Sequence, residues 1–513
     1  MYPVLVFSAV VTAVAVYYFL TKKYDYWKKK KVPHPKPVPL FGNFGDLIRF
    51  KNNFGSTEQS ICRQFPDEPL VGAYLGPEPV LIVKDPEMIK LVTTKDFYYF
   101  SGRDISDYSD REWVLQNLFD SHGDTWKVLR QNLTPLFSSA KMKNMFYLIE
   151  NCSKTFENML EKEINMSRKQ EARSLFVRFT MDCISACAFG VDAKVMSESD
   201  RNPFFTIGKK IFDPSSIQMG KILFRSISPA TFYGLGLKSL PEVVVDFFNS
   251  LLLGVFKERK YRHTARNDFV DLILSFADDK YIRGDRMSNL KGDSKEKIKI
   301  EVNDNLLVAQ CFVFFATGFE TSSTIASFAL YELAKDSDAQ ERVRREVVEW
   351  LKKRDGRLDY ECITGLPFLE QCVDETLRLY PVGGVLTREV AEPYRFPNGL
   401  TVERGLKVHL PVFYLHRNPD HFPEPDAFRP ERFAPENKYN IKPYTYLPFG
   451  EGPRLCIGMR FAKMQMMAGL VTILKRYRVE LAEDMPRTIQ FEPKSLVTAS
   501  RHGILLNFIP LTD

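Results

Sequence analysis

Cys456 closes a glycine-punctuated run, Phe449-Gly450-Glu451-Gly452-Pro453-Arg454-Leu455-Cys456-Ile457-Gly458, and the stretch that follows, Met459 to Tyr477, reads as a helix. Gly450, Gly452 and Gly458 permit positive φ and a close backbone approach that a side chain would block. A helix starting just beyond the sulfur aims its amides and positive dipole end at it, which predicts a lowered thiol pKa. A lone thiolate presented this way suits an axial ligand to iron, with Arg454 two residues earlier placed to meet a carboxylate. On the cysteine alone, a buried structural thiol is the commoner case. Cys62, Cys152, Cys183, Cys187, Cys311, Cys362 and Cys372 fit that case: no Cys-x-x-Cys pair occurs. Cys183 and Cys187 fall one helical turn apart in an apolar pattern, without the histidines a shared metal would want. Such a set implies reduced thiols in a domain facing the cytosol.

A second run, Ala316-Thr317-Gly318-Phe319-Glu320-Thr321-Ser322, lies inside a long helical pattern from about Asn303 to Leu333, opened by an Asn or Asp cap. Helical spacing stacks Val313, Thr317 and Thr321 on one face, with Ala316 and Glu320 beside them. Gly318 costs this helix about 1 kcal/mol against alanine, a cost that room for a flat partner against the backbone would justify. An acid and an alcohol beside such a gap can pass protons to a bound oxygen species. Trp126 and Arg130, spaced i, i+4 after a cap at Asp124 or Thr125, let an indole N–H and a guanidinium converge on one anion. Glu375 and Arg378, spaced i, i+3, share a predicted helix from Leu366 to Tyr380 with Pro367 in its first turn. Exposed, such a pair is weak; buried, it needs a third partner.

The elements that position these residues follow in chain order. Met1 to Leu20 carries no charge and is long enough to cross a bilayer once. Lys22, Lys23 and Lys28 to Lys31, interleaved with Tyr24, Tyr26 and Trp27, predict interfacial anchoring with the bulk of the chain cytosolic, and no small-residue cleavage site follows. Residues 21–42 form a basic and proline-rich hinge ahead of a single large domain, residues 43–513. LVGAYLG from Leu70 and PVLIV after Gly76-Pro77 predict a hairpin. Asp96 to Asp120 reads as a pocket-covering loop, and residues 141–280 as amphipathic helices. Pro203 to Leu253 is apolar enough for core or for a membrane-dipping access region. Residues 280–300 read as a charged, solvated loop. At 513 residues, 44% hydrophobic and 26% charged, with no internal repeat, the chain can bury a substantial core. Its net charge of +7 is dispersed, which excludes a nucleic-acid-binding surface.

The pattern Phe-x-x-Gly-x-Arg-x-Cys-x-Gly resembles the haem-binding loop of the cytochromes P450, matched here at every fixed position. Ala316 to Ser322 resembles their oxygen-activation element, with Thr317 where alanine is usual. Trp126-x-x-x-Arg130, Glu375-x-x-Arg378 and Pro425-Asp426-Ala427-Phe428-Arg429-Pro430-Glu431-Arg432-Phe433 complete the resemblance, in order and across nearly the whole chain. Leu133 to Lys143, Phe314-Phe315 and Leu455 to Ala462 look like the insect microsomal detoxification group known as family six.

The resemblance implies a mainly α fold with a smaller β region, a helix-rich triangular domain around haem b behind an N-terminal transmembrane helix. It implies Cys456 as the iron ligand and Phe449, Gly450 and Arg454 against the haem. Trp126, Arg130 and Arg388 would meet its propionates, and Glu375, Arg378 and Arg432 would form a structural lock. Glu320 and Thr321 would handle protons; Phe312, Val313, Ala316, Thr317, Val382, Val385, Leu496 and Val497 would line the substrate pocket, with Phe315, Tyr98 and Tyr99 as further aromatic candidates. The implied reaction inserts one oxygen atom of O2 into a small lipophilic substrate. Electrons from NADPH would arrive through NADPH-cytochrome P450 reductase, with cytochrome b5 as a second donor, at the endoplasmic reticulum membrane. No Gly-rich dinucleotide site occurs, as a separate donor requires. Lys127, Arg460 and Lys463 are the expected reductase contacts. Detoxification of plant compounds and insecticides is the expected role. Hydroxylation of endogenous lipids or steroids is the alternative, and a reductase-independent haem-thiolate isomerase or a non-catalytic haem protein stands further off.

Overall fold

The computed structural model describes residues 2–511, apart from 104, 105, 199, 200, 265, 267, 278, 293 and 294, and apart from the side chains at 106, 107 and 109. Two helices in it are long and apolar enough to span a bilayer, and burial separates them. Tyr2–Thr21 buries none of its residues, whereas 83% of the apolar stretch in Asp304–Lys335 is buried. At 1.5 Å per residue the second runs about 48 Å through the domain, and its near-continuous apolar sequence reflects partners on every side. Asn303 caps it by accepting from the Leu306 N–H, as the sequence predicts. Around it pack Ala172–Ile184, Pro367–Leu379 and Met459–Leu474, forming one large core.

A smaller β region flanks this core. Strands β1 (Leu70–Leu75) and β2 (Glu78–Val83) form the expected antiparallel hairpin. Strands β3 (Lys169–Glu171), β4 (Tyr281–Asp285), β5 (Lys297–Glu301), β6 (Leu386–Glu389), β7 (Tyr394–Arg395), β8 (Thr401–Val402), β9 (Lys407–Leu410), β10 (Tyr477–Leu481) and β11 (Leu505–Pro510) complete the set. The main sheet runs β1-β2-β9-β6, with β2 and β9 parallel. Leu70, Tyr74, Leu81 and Val83 face one apolar cluster, while Val71, Ala73, Leu75, Val80 and Ile82 face another. Both faces of the hairpin are therefore covered, which is why it reads as a continuous apolar run.

Three expectations are corrected. Residues 281–301 include an antiparallel ribbon, β4 against β5, where a solvated loop was expected. The alternation Lys297-Ile298-Lys299-Ile300-Glu301 carries its period of two, and Gln131 and Asn132 bond its backbone and Asp285. The helix Gly123–Leu133 starts after His122, and Asp124 lies inside its first turn, accepting from the Met287 N–H at 2.7 Å. Trp27, expected among lipid head groups, is fully buried against the main sheet.

Candidate active site

The loop ahead of Met459–Leu474 folds back on itself, with the Cys456 N–H donating to the Phe449 carbonyl at 2.9 Å. Gly450 and Gly452 adopt φ of +77° and +73°. A Cβ on Gly452 would lie 1.8 Å from the Thr93 carbonyl oxygen, so this glycine is required by close approach as well as by backbone conformation. Gly458, expected to share that conformation, has φ −86° and instead caps the following helix. Cys456 is the exposed cysteine of the chain; Cys152 is half-buried and the rest are buried. Although part of its surface is open, the protein crowds it elsewhere, and burial raises its thiol pKa. The Gly458 N–H and the Arg130 guanidinium oppose that shift without reversing it. The lowering expected from the helix terminus is therefore outweighed, and a metal cation meeting the sulfur would supply the missing bias towards thiolate. Burial likewise holds the Cys183 and Cys187 thiols well above their ordinary values, consistent with inert core packing.

Besides Arg103, three arginines stand close enough to influence one another or the sulfur. Arg454 is buried, donates to the Ser101 and Ser121 carbonyls at 3.0 and 2.8 Å, and lies over the Trp126 ring at 4.6 Å. Arg388 is buried in β6, donates to the Thr387 carbonyl at 2.9 Å, and leaves its Nε without a partner. Arg130 projects from the same helix as Trp126, which packs on Phe97 at 5.3 Å. Burial depresses all three guanidinium pKa values, Arg388 to about 9, and Arg103 adds repulsion at Arg388 and Arg454. Half-buried Asp120 interacts with Arg454 and Arg103, and burial raises its own pKa. A guanidinium does not give up its proton in a protein, so this depression measures electrostatic stress that an anion would relieve.

On the long helix, Thr317 Oγ1 donates to the Val313 carbonyl and Thr321 Oγ1 to the Thr317 carbonyl, both at 2.7 Å. Thr317 is exposed and Thr321 half-buried on a helix otherwise buried along this stretch. Glu320 turns elsewhere, paired with Arg173 of Ala172–Ile184 through Nε at 3.0 Å and through Nη2. Burial raises its pKa while Arg173 opposes the rise. Arg173 also lies 3.5 Å from Asp213 and lines a mixed cavity of about 200 Å³ with Glu171, Thr324, Ser327, Phe328 and Ile504. Gly318 serves helix packing: a Cβ there would lie 2.8 Å from Ile184 Cδ1. The flat partner expected at this glycine is thus another helix.

The Pro381 to Leu386 segment and the C-terminal turn meet, because Thr498 N–H donates to the Val382 carbonyl and its hydroxyl to the Pro381 carbonyl. Val382, Val385 and Val497 are half-buried and Leu496 is exposed, while Phe312, Val313 and Ala316 are mostly covered. Phe312 packs edge-on against Phe248 at 5.2 Å. Phe315 is corrected: it lies at the centre of a phenylalanine cluster with Phe189, Phe204, Phe248 and Phe319 and is fully buried. Tyr98 and Tyr99 are corrected too, the first bonded to Glu392 with Lys291 over its ring, the second packed on Tyr394. Lys463, one of the expected reductase contacts, pairs with Glu370 at 2.7 Å. Arg460 is exposed and Lys127 half-buried.

Glu375 and Arg378 are fully buried and doubly bonded at 2.7 and 2.8 Å. Arg432 approaches Glu375 at 3.3 Å, and the carbonyls of His416, Pro425 and Ala427 take the remaining Arg378 donors. Sequence reasoning missed His416, whose Nε2 accepts from the Leu447 N–H while Nδ1 faces the Arg378 carbonyl. Burial and the Arg378 charge push its pKa down to about 3, leaving it neutral. It also missed Arg173, which nothing local marks, and Gln310. The latter is a lone polar residue on an apolar face; it bonds Leu118 N–H and the Gln116 carbonyl, fixing that segment against the long helix.

A family profile described as Cytochrome P450 matches residues 32–507, and the chain belongs to that family. Its relatives include insect family-six members. Cytochrome P450 6B2 of Helicoverpa armigera is 34% identical over 510 residues, covering 99% of each chain. Cytochrome P450 6k1 of Blattella germanica is 35% identical over 508 residues, covering 97% of this chain and 95% of its own length. Cytochrome P450 6a2 of Drosophila melanogaster is 33% identical over 515 residues, 98% of this chain and 99% of its own. The family implies a haem, and the residues present fit one. A thiol with open surface is available to iron, and stressed guanidiniums, one with an orphaned Nε, suit the two carboxylates of the ring.

Proposed function

We propose that this chain is a haem b monooxygenase of broad specificity. It inserts one oxygen atom of O2 into lipophilic substrates with NADPH-derived electrons delivered by NADPH-cytochrome P450 reductase, and cytochrome b5 as auxiliary donor. The observation that carries the reading is the exposed Cys456 thiol under the influence of Arg130, with buried Arg454 close by and buried Arg388 leaving its Nε without a partner. Bound haem would supply oxygen activation, and Cys456 would hold its iron. Arg130, Arg388, Arg454 and the Trp126 indole would hold its carboxylates, and Phe449 and Gly450 would border the ring. Glu375, Arg378 and Arg432 keep the loop's support rigid.

Burial raises the Glu320 pKa and its Arg173 partner opposes the rise, so this pair would set how easily Glu320 takes up or releases a proton. The cavity beside Arg173 offers water a route to that pair. Thr321 would offer a hydroxyl on the face that Glu320 leaves, and Thr317 narrows that same face. Phe312, Val313, Ala316, Val382, Val385, Leu496 and Val497 shape an apolar pocket that orients substrate and excludes water. Glu112 ties the segment before Trp113 to the chain around Tyr233 and Ser239, accepting from Tyr233 Oη at 3.0 Å and from the Ser239 N–H. The apolar, unburied helix Tyr2–Thr21 and the lysines after it support a single-pass anchor in the endoplasmic reticulum membrane with the domain cytosolic. The family-six likeness supports clearance of plant toxins and insecticides as the role. Purified protein reduced under carbon monoxide should show the red-shifted Soret band of thiolate ligation. With reductase, NADPH and O2 it should oxidise plant allelochemicals and insecticides faster than steroids or fatty acids. A normal-wavelength Soret band sinks the class, and a preference for endogenous lipids sinks the role.

A further inference from the structure

We propose that residues 24–43 form a clamp, keyed by Trp27, that joins the membrane span rigidly to the domain. Packing against the sheet then sets the tilt of the active site on the bilayer. The inference rests on reading Tyr2–Thr21 as a span. Trp27 is completely buried: its indole N–H donates to the Ala73 carbonyl at 2.9 Å and its backbone N–H to Tyr74 Oη at 3.2 Å. The indole lies on Gly72 so closely that a Cβ there would sit 2.4 Å from Trp27 Cγ.

Past the tryptophan the chain runs along β1, the edge strand of the main sheet. The Pro33 carbonyl accepts from Gly72 N–H at 2.8 Å, Asn43 N–H donates to the Tyr74 carbonyl at 2.7 Å, and Asn43 Oδ1 accepts from Tyr74 N–H at 2.9 Å. The segment thereby satisfies backbone groups that a bare edge would leave unpaired. On its flanks Lys23 pairs with Glu78 at 2.6 Å, Lys30 and Tyr26 share Glu403, and Tyr24 Oη reaches the Val38 and Gly76 carbonyls. No slack intervenes. Backbone bonds from Lys22 to Tyr18, Tyr24 to Thr21 and Tyr26 to Lys23 carry the fold from the span into the short helix Tyr26–Lys29. Lys23 and Lys30 are thus taken up by the domain, leaving Lys22, Lys28 and Lys31 exposed for lipid head groups. Exposed Val38 and Leu40 lie at the same end, where the Leu40 carbonyl and Ile227 meet around Gly76.

An interfacial aromatic belt predicts the opposite environment for Trp27, hydrated and in contact with head groups. The test uses full-length, haem-loaded protein in lipid nanodiscs, labelled with 5-fluorotryptophan and held in the ferrous carbon-monoxide form, with the Trp27 resonance assigned through Trp27→Phe. Exchange of H2O for D2O should leave that resonance unshifted; a full solvent isotope shift overturns the clamp. In oriented bilayers, Trp27→Ala should lose most of the haem linear dichroism while its carbon-monoxide band stays intact, and unchanged dichroism overturns the proposal. Should Trp27→Ala lose that band, Lys23→Ala/Lys30→Ala, which loosens the flanks without opening the core, should show a partial loss of dichroism; none overturns it. Protein that stays outside the nanodiscs refutes the span and the clamp together, whereas a hydrated Trp27 in embedded protein refutes the clamp alone.

Discussion

Two sets of buried arginines lie in this molecule, and they differ in how completely they are answered. Arg378 has a carboxylate and three carbonyls around it, all at hydrogen-bonding distance. Arg388 is equally hidden but has one carbonyl, an orphaned Nε and a second guanidinium for company. The first set is complete within the chain, and its work is to hold a shape. The second is incomplete, and the missing complement has to be an anion brought from outside. A buried charge left unanswered is thus a better pointer to function than a buried charge well paired.

The contrast can be broken from either side. Replacing the Cys456 thiol has the largest consequence: Cys456→Ser should abolish the red-shifted carbon-monoxide band and turnover together, read by spectrum and product assay. In the lock, Arg378→Ala strands Glu375 and should cost about 3–5 kcal/mol, measured as a fall in denaturant midpoint with or without haem. In the open set the sign reverses. Arg388→Leu should leave the haem-free protein as stable or more stable by about 1–2 kcal/mol, while haem is lost faster to an acceptor protein. Arg388→Leu matching Arg378→Ala in stability would erase the distinction.

His416 sharpens the comparison through pH. Its folded pKa near 3 lies below the ordinary 6.5, so the unfolded chain binds the extra proton between these values. Stability is complete above pH 6.5 and falls as pH drops towards 3, by a few kcal/mol at most for a group this buried. His416→Asn should flatten that acid limb in thermal melts taken across pH. Gly318→Ala is the smallest expected change. The new methyl meets the far end of Ile184, a movable atom, and helix propensity offsets the crowding, so the unfolding midpoint should move by less than about 1 kcal/mol.

Much of the fold was legible because its signals are local. The cysteine loop, the capped long helix and the Leu70 hairpin each declare themselves within a dozen residues. What escaped depends on chain segments that sequence distance separates. Glu320 and Thr321 look like one unit in the sequence. Across 147 residues, though, Arg173 draws the acid to one side while Thr321 stays on the other face. Gly318 is explained by Ile184, and Tyr98 by Glu392, neither of which its neighbourhood reveals. The β4–β5 ribbon was missed for a different reason. Its alternating isoleucines were visible, but the charges around them suggested solvent, and packing on Gly123–Leu133 decided otherwise.

Of the three threonines on the long helix, Thr317 and Thr321 each point their single hydroxyl hydrogen down the helix at the carbonyl one turn earlier, while Thr324 Oγ1 turns to Glu320 at 3.4 Å. What the first two show outward is lone pairs. A guest carrying an N–H or O–H finds a waiting acceptor there, whereas a ketone or an ether finds none until a hydroxyl swings away from its carbonyl. This strip of the helix therefore has a chemical polarity of its own, with acceptors turned outward and donors turned in.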